Sequence, residues 1–512
     1  MNPAFLGAYL ITILNQSPSE ASYASCHPRN WPAIRKAWII GILVFLEFFV
    51  TIIATTGSAA VHYAVEDFPD DSKKALMASF VSTYSFGQAV GSILLPQFTE
   101  PFGRRQFYLW STVAFSVTCV VTGVTPSIVG VGFGRFVGGL ASAVPAVVVA
   151  GSVEDLFNEK SRIWLIWLWN CLTVAGQVLG PVYSTYIAGR LGWYVETRTF
   201  SAMMTDSHRP WVYYVAAIIT AAMLPLIFLT PETRHFKVLE KNAPKNSETD
   251  LNIQESHNPD AHLTLVEVLW RPTVLLFTEP LVFVATALSS FSMGLIYLFT
   301  EALHSVYTSP GFDFSYEKAS LPFLAMMLGI FFSIVTRIHD MHRYKRHSAL
   351  RTSTAELKLA GCLLGAPALA IGLWVFSWTI PPAASHISPV VSMIGLTLLG
   401  FAATEIAYCL QGYLTDAYTA YASSALSGLA CIRAVVSGVL PLVAGDMFQT
   451  MGNNNAGTLL AALATLFSIG PVAFYFIGEK LRARSPFARV STIAASSRPN
   501  TSQHQHHTVR EI

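Results

Sequence analysis

The 512-residue chain is 53% hydrophobic and only 12% charged, with a mean hydropathy of +0.48, whereas soluble domains carry about 25% charged residues. This composition excludes an ordinary soluble protein and indicates a chain whose solvent is the lipid bilayer. The net charge of +2 is spread over many loops rather than gathered into one patch, so no nucleic-acid partner is expected.

Twelve apolar segments, each of about 19 to 26 residues, follow one another along the chain. A helix of this length crosses a hydrocarbon core of about 30 Å. The sequence therefore predicts an all-α membrane protein with twelve transmembrane helices. The predicted spans are 37–60, 76–98, 107–125, 127–151, 163–188, 212–230, 274–299, 319–337, 358–379, 388–412, 424–447 and 457–478.

The longest polar interruption, residues 233–271, separates six spans from six. Its Asn, Ser, Glu and Asp content predicts a disordered linker. Two six-helix halves, 37–232 and 272–480, are expected to enclose a substrate path, as in transporters built from internal repeats. Residues 1–36 precede the first half, and a Ser/Thr-rich tail, 481–512, follows the second.

The distribution of Lys and Arg predicts the orientation, because basic residues beside a span resist translocation. With both termini in the cytosol, six of the 32 basic residues lie in outer loops, two lie within spans and 24 lie inside. Both termini and the 233–271 linker are therefore predicted to be cytosolic. Residues 194–210 are interpreted as an outer loop, with a retained intron as the competing explanation.

Two ionisable residues of the first half lie deep in predicted spans. Glu47 is about ten residues, or about 15 Å, from the cytosolic end of the first span, and Arg135 is about eight residues inside the fourth. A charged side chain at this depth costs several kcal/mol unless it pairs or meets water. Both are proton-coupling candidates. For Arg135 the alternative is a structural pair with a carboxylate or carbonyls, and for Glu47 it is recognition of a cationic substrate.

The second half contains a third deep acid, Glu405, in the tenth span. Arg433 enters the neighbouring eleventh span, so the two residues can form a structural pair. A proton-coupling role for Glu405 is the equal alternative.

Polar and small residues mark candidate substrate contacts. Glu47, Thr51, Thr55 and Ser58 recur at helical spacing and form one polar stripe, which is expected to face a cavity. In the fifth span, small residues share a face beside a proline that permits a bend. The cavity candidates are Thr51, Thr55, Gly176, Gly180, Pro181, Ser184 and Tyr297.

Residues 100–105, Glu-Pro-Phe-Gly-Arg-Arg, connect the second and third spans. Gly103 allows a tight turn, and Arg104 and Arg105 face the cytosol. Glu100 can pair with these cations or with a helix end, which would hold two spans together in one access state. This predicts a gate; the alternative is topology control by two loop arginines.

The same hexapeptide resembles the signature of the major facilitator superfamily, and further motifs resemble those of the fungal twelve-span drug:proton antiporters. The resemblance covers about residues 28–490 and implies the major facilitator fold, alternating access and a proton-coupling role for Arg135. However, Gln177 stands where that family prefers proline, which weakens the inference of export. The additional motifs are Asn30-Trp31 with Lys36, Arg135 with Gly139, Gly180-Pro181, Pro231-Glu232-Thr233-Arg234, Arg271-Pro272 with Glu279-Pro280, Tyr413 to Tyr418, and Pro441-Leu442.

These features predict a proton-coupled exporter of small amphipathic molecules, a drug or a fungal secondary metabolite, that acts as a monomer in the plasma membrane or, alternatively, the vacuolar membrane. The alternatives are a polyamine exporter, a small-molecule importer and a nontransporting sensor. An enzyme is not expected, since no catalytic cluster falls on adjacent spans. The cysteines lack metal or disulfide spacing, and no nucleotide fingerprint is present, so a proton gradient is expected in place of any cofactor.

Overall fold

The computed structural model describes residues 28–65, 68–190, 211–234, 237–238, 265–348, 359–384, 386–418, 422–484 and 487. Within these ranges the chain forms helices and connecting turns, with no β-strand. Most of the predicted linker, the 194–210 insert and most of the C-terminal tail lie outside the described residues.

Fifteen α-helices follow one another in the described ranges. A π-helical turn, Ala78–Ser82, lies within the second predicted span. The helices are α1 Ala33–Ala64, α2 Lys73–Met77, α3 Thr83–Phe102, α4 Arg104–Val124, α5 Ile128–Leu156, α6 Glu159–Arg190, α7 Trp211–Leu229, α8 Leu265–Thr278, α9 Pro280–Thr308, α10 Pro322–Ser348, α11 Ala360–Thr379, α12 Pro389–Ala417, α13 Ala422–Met451, α14 Asn453–Phe467 and α15 Ile469–Arg484.

Eleven helical segments of the described chain are long and apolar enough to cross a membrane. The predicted second span is the exception, because it is divided among α2, the π-helical turn and α3 and carries several Ser, Thr and Gln residues. The last such segment, Asn453–Gly478, combines α14 with most of α15. The predicted all-α membrane fold is confirmed, although α8 begins inside the segment predicted as a linker.

The chain divides into two compact units, Met1–Leu265 and Val266–Ile512. In the first unit α1 packs on α6, α3 on α5, and α4 on both α5 and α7. In the second unit α9 packs on α13, α10 on α12, and α11 on both α12 and α14. The same pattern of helix pairing occurs twice, which is the structural signature of an internal repeat.

Glycines bring α3 and α5 into close backbone contact. A Cβ atom added at Gly139 of α5 would collide with the carbonyl oxygen of Tyr84 on α3, and one added at Gly87 of α3 would collide with that of Phe136 on α5. Because the obstructing atoms are main chain, no side-chain rotation can relieve the collision. Small residues at such positions allow membrane helices to associate without a hydrophobic driving force between them.

We expect Gly139→Ala to destabilise the protein by about 2 to 3 kcal/mol, since α3 and α5 must separate to accommodate the methyl group. Gly41→Ala is the matched control, because a Cβ atom there meets nothing within 4 Å. Thermal unfolding of the detergent-purified variants measures the difference. Equal unfolding temperatures for the two variants would contradict the close packing of α3 on α5.

Candidate functional site

Arg135 lies on α5 and is only 3% exposed. Its guanidinium donates three hydrogen bonds to main-chain carbonyls: Nε to Phe80 at 2.7 Å, Nη1 to Ile53 at 3.0 Å and Nη2 to Ala54 at 3.0 Å. The acceptors belong to α1 and to the π-helical turn, so one side chain joins three spans. Because carbonyl groups are neutral, these bonds solvate the charge of Arg135 without neutralising it.

Two aromatic rings flank the same guanidinium. Its Cζ lies 4.4 Å from the ring centroid of Tyr84 and 5.6 Å from that of Tyr213, distances typical of cation–π attraction. The sequence left either a carboxylate or main-chain carbonyls as the structural partner of Arg135. The hydrogen bonds in the structure are to carbonyls. The role of Arg135 in proton coupling stays a prediction.

Glu47 is buried in α1, with 1% of its surface exposed. It precedes Ile53 by six residues, which is about 9 Å along the helix axis. Glu47 and the Ile53 and Ala54 carbonyls that bind Arg135 therefore occupy different levels of α1. Its coupling role also stays a prediction.

Thr51 and Thr55 lie in the contact between α1 and α6. Thr55 Oγ1 donates to the carbonyl of Gln177 at 2.8 Å. A Cβ atom at Gly176 would contact Thr51, and one at Gly180 would contact Thr55. The polar stripe that was expected to face a cavity thus packs against α6 at these two threonines. The spacing of these residues cannot distinguish a stripe that faces a cavity from one that packs against another helix, because threonine and glycine also favour close helix packing.

The remaining cavity candidates are buried in their helices. Pro181 lies inside α6 without ending it. Ser184 is 0% exposed, and its hydroxyl has no hydrogen-bond partner among the described residues. Tyr297 of α9 is 3% exposed. Contact of these residues with substrate remains a prediction.

A single residue, Gly103, joins α3 to α4 with a φ of +93°, a conformation that favours glycine. The carboxylate of Glu232, which follows α7, accepts the main-chain N–H groups of Arg104 and Arg105, both at 3.0 Å. These are the first two amides of α4, which have no partner within the helix. Glu232 therefore caps α4 at the end where the helix dipole favours an anion.

Arg105 caps α7 in return. Its Nη2 donates to the carbonyl of Phe228 at 2.6 Å, in the last turn of α7. Its guanidinium also lies 5.2 Å from the Phe228 ring centroid. A cation at this end of a helix complements the dipole, so reciprocal caps connect α4 and α7.

Arg104 connects α4 to α5 by a buried ion pair. Its Nη1 lies 2.8 Å from Oδ2 of Asp155, and the two side chains are 6% and 8% exposed. We refer to Gly103, Arg104, Arg105, Asp155 and Glu232 as the loop cluster. The side chain of Glu100 lies outside the described residues, so its pairing stays a prediction. Asp155 binds Arg104 through its side chain, and Glu232 binds Arg104 and Arg105 through their main-chain amides.

Glu405 lies on α12 and is 0% exposed. Its Oε2 is 2.6 Å from Nη2 of Arg337 on α10, and its Oε1 accepts the hydroxyl of Thr336 at 2.5 Å. The expected partner, Arg433 on α13, is not the one that the structure gives to Glu405. Arg337 lies on α10, which is two helices before α12 in the chain and packs against it, so the order of spans could not reveal that contact.

Glu279 and Tyr418 form a second link in this unit. The hydroxyl of Tyr418, which follows α12, donates to Oε2 of Glu279 at 3.0 Å. Glu279 precedes Pro280, the first residue of α9. Two segments that were recognised only as separate motifs are therefore neighbours at the ends of α9 and α12.

Sequence reasoning missed several of these contacts. Asp155 received no role because it lies beyond the predicted end of the fourth span, and Glu232 was recognised only as part of a motif. Arg337 is the last residue of the eighth predicted span, 319–337, and received no role. The available signal was the spacing of Arg337 and Asp340, which places opposite charges on one helical face.

Comparison with known proteins gives a family-level match over most of the chain. The model of the Major Facilitator Superfamily matches residues 37–438. The chain is 27% identical over 478 residues to the efflux pump radE of Floropilus chiversii, covering 90% of this chain and 84% of that protein. It is also 27% identical over 471 residues to the multidrug transporter TPO1_1 of Candida glabrata, covering 90% and 78%.

Solved structures share the fold at low sequence identity. The Escherichia coli xylose transporter XylE, in a partially occluded inward-open conformation, matches with a TM-score of 0.60 and 15% identity over 86% of this chain and 98% of that chain. Human MFSD10, an organic anion transporter, matches with a TM-score of 0.54 and 17% identity over 86% and 100%. These likenesses concern the fold alone.

Proposed function

This chain belongs to the major facilitator superfamily, and from that premise we propose that it exports small, amphipathic, mainly apolar organic molecules in exchange for protons. Family membership makes it a multi-pass membrane transporter rather than an enzyme. The observation that carries the export proposal is the match over about nine-tenths of the chain to relatives named as an efflux pump and a multidrug transporter. A drug or a fungal secondary metabolite fits this class of substrate.

Buried ionisable residues support a proton as the driving ion. Glu47 is 1% exposed, Arg135 3% and Glu405 0%, and each lies on a helix of membrane-spanning length. Such residues are expensive in a bilayer and typically belong to ion or proton pathways. Protonation of an intramembrane carboxylate would bias the inward-facing and outward-facing states of an alternating-access cycle. We place the transporter in the plasma membrane as a monomer.

Flux into proteoliposomes tests this proposal. Purified protein is reconstituted with its orientation determined, and uptake is followed for cationic, neutral and anionic fluorescent amphipathic dyes and for spermidine. A proton gradient is imposed, then collapsed with a protonophore. We expect dye accumulation that requires the gradient, and we expect Glu47→Gln to retain dye exchange but lose accumulation. Glu317→Gln, at an exposed acid between α9 and α10, is the matched control.

The same flux experiment distinguishes the alternative functions. Accumulation of spermidine without the dyes would indicate a polyamine exporter. Gradient-dependent movement of the dyes in the direction of the protons would indicate an importer. Absence of any flux in well-folded protein would favour a sensor.

A further inference from the structure

A buried charge cluster in the second unit surrounds Arg337, which is 0% exposed. Its Nη2 lies 2.6 Å from Glu405 Oε2, and its Nη1 lies 2.7 Å from Asp340 Oδ2. Its Cζ lies over the ring of Tyr408, 3.8 Å from the ring centroid. We refer to Thr336, Arg337, Asp340, Glu405 and Tyr408 as the Arg337 cluster.

The cluster contains one cation and two carboxyl groups. With both carboxyl groups ionised its net charge is −1, and an uncompensated charge is unfavourable in a membrane interior. Binding one proton makes the cluster neutral. The charge count alone therefore favours a state that holds one proton.

The other groups around the cluster are two thiols and two basic residues of α10 that lie outside it. Glycine at position 361 lets α11 pack closely, because a Cβ atom there would collide with the Glu405 carboxylate and the Cys409 thiol. Cys362 and Cys409 are both 0% exposed and carry no positive charge in either protonation state. On α10, His339 is exposed and Arg343 is half-buried, so water screens the charges of these two residues more than that of Arg337.

The two carboxyl groups differ in how firmly each is held. Both oxygens of Glu405 are bound, one by Thr336 and one by Arg337, and the side chain is 0% exposed. Asp340 has one oxygen against Arg337 and is 15% exposed. Hydrogen bonds to both oxygens favour the ionised form of Glu405, whereas Asp340 is the less buried of the two carboxyl groups and has the fewer bonds.

We infer that the Arg337 cluster is a proton-binding site in which Asp340 takes up and releases one proton while Glu405 and Arg337 remain a fixed ion pair. The proton comes from water and forms an O–H bond on the Asp340 carboxylate, and no other covalent bond changes. Neither Nε nor Nη1 of Arg337 has a hydrogen-bond partner among the described residues, so the contact of Nη1 with Asp340 at 2.7 Å is an ion pair without a hydrogen bond. The site deepens the proposed proton-driven transport and rests on it for its physiological role.

Infrared spectroscopy of the purified full-length protein in lipid nanodiscs tests the inference. The probe is the proton itself: the carbonyl stretch of protonated carboxyl groups is followed through a pH titration. The parent minus Asp340→Asn difference should contain one titrating carboxyl group per chain. Glu405→Gln should lose the same group, because Arg337 then faces a single carboxylate and holds it ionised.

Arg337→Gln should gain one protonated carboxyl group, since two buried acids are left without a cation. Glu317→Gln should retain the parent signal of the cluster. Retention of the parent signal in both Asp340→Asn and Glu405→Gln would overturn the inference, whatever happens to Arg337→Gln. Gradient-driven dye flux in the parent tests the proposed function separately: absent flux with an intact titration would remove the transport role and leave the proton site standing.

Discussion

Replacing Arg135 with Gln is expected to destabilise the protein by about 3 kcal/mol or more and to reduce dye flux about tenfold or more, because at least two charged hydrogen bonds are lost, each worth about 1.5 to 3 kcal/mol. The guanidinium donates to carbonyls of Phe80, Ile53 and Ala54. A shorter neutral amide cannot reach all three. The contacts between α5, α1 and the π-helical turn should therefore loosen together.

Thermal unfolding and proteoliposome flux measure this effect in parallel. Arg135→Lys is the informative companion, since an ammonium group keeps the charge but lacks the planar fork that reaches several acceptors. It should fall between the parent and Arg135→Gln in stability. Glu47→Gln should instead unfold close to the parent temperature while losing gradient-driven accumulation. Parent-like unfolding and flux in Arg135→Gln would contradict the bridging role.

The depth of Arg135 could be predicted from the sequence, but its partners could not. Hydropathy locates a charge along a span, whereas the choice of acceptors depends on which helix faces meet. Here the acceptors include the carbonyl of Phe80, which lies in a π-helical turn. That turn departs from regular helical hydrogen bonding, and the apolar pattern of residues 76–98 contains no sign of it.

In the loop cluster, too, the sequence predicted the turn but not the acid that binds there. The turn at Gly103 and the presence of a nearby acid were predictable from residues 100–105. The acid that caps α4 is instead Glu232, which lies 128 residues from Arg104 in the chain. Local spacing favours local partners, so a contact at this separation required the fold.

In the second unit the error came from a helix boundary. The predicted eighth span ended at residue 337, which placed Arg337 at the membrane edge, whereas α10 continues to Ser348. Eleven further residues add about 16 Å of helix, so Arg337 lies well inside α10 rather than at its end. The environment of a charge therefore depends on where the helix ends as well as on the hydropathy around it.

Removing either partner of the Arg104–Asp155 pair is expected to cost about 3 to 5 kcal/mol, because the remaining charge stays buried without compensation. The two side chains are 6% and 8% exposed. The double variant Arg104→Met with Asp155→Leu should recover most of this loss, since apolar side chains can replace a buried ion pair. Thermal unfolding of the four proteins gives the coupling free energy between the two residues.

The exposed pair of Arg162 and Glu154 is the matched control. Its N–O distance is 2.9 Å, but its side chains are 17% and 45% exposed, so its coupling free energy should be about 1 kcal/mol or less. Similar coupling in the two pairs would contradict the importance of burial.

Flux through the double variant Arg104→Met with Asp155→Leu separates a gate from a purely structural contact. A gate must open and reform during each cycle, and separated charges are stabilised by water whereas separated apolar side chains are not. The double variant should therefore recover stability but transport more slowly than the parent. Transport at the parent rate would assign the pair to folding alone, and the capping of α4 by Glu232 would then be the part of the loop cluster left to act as the gate.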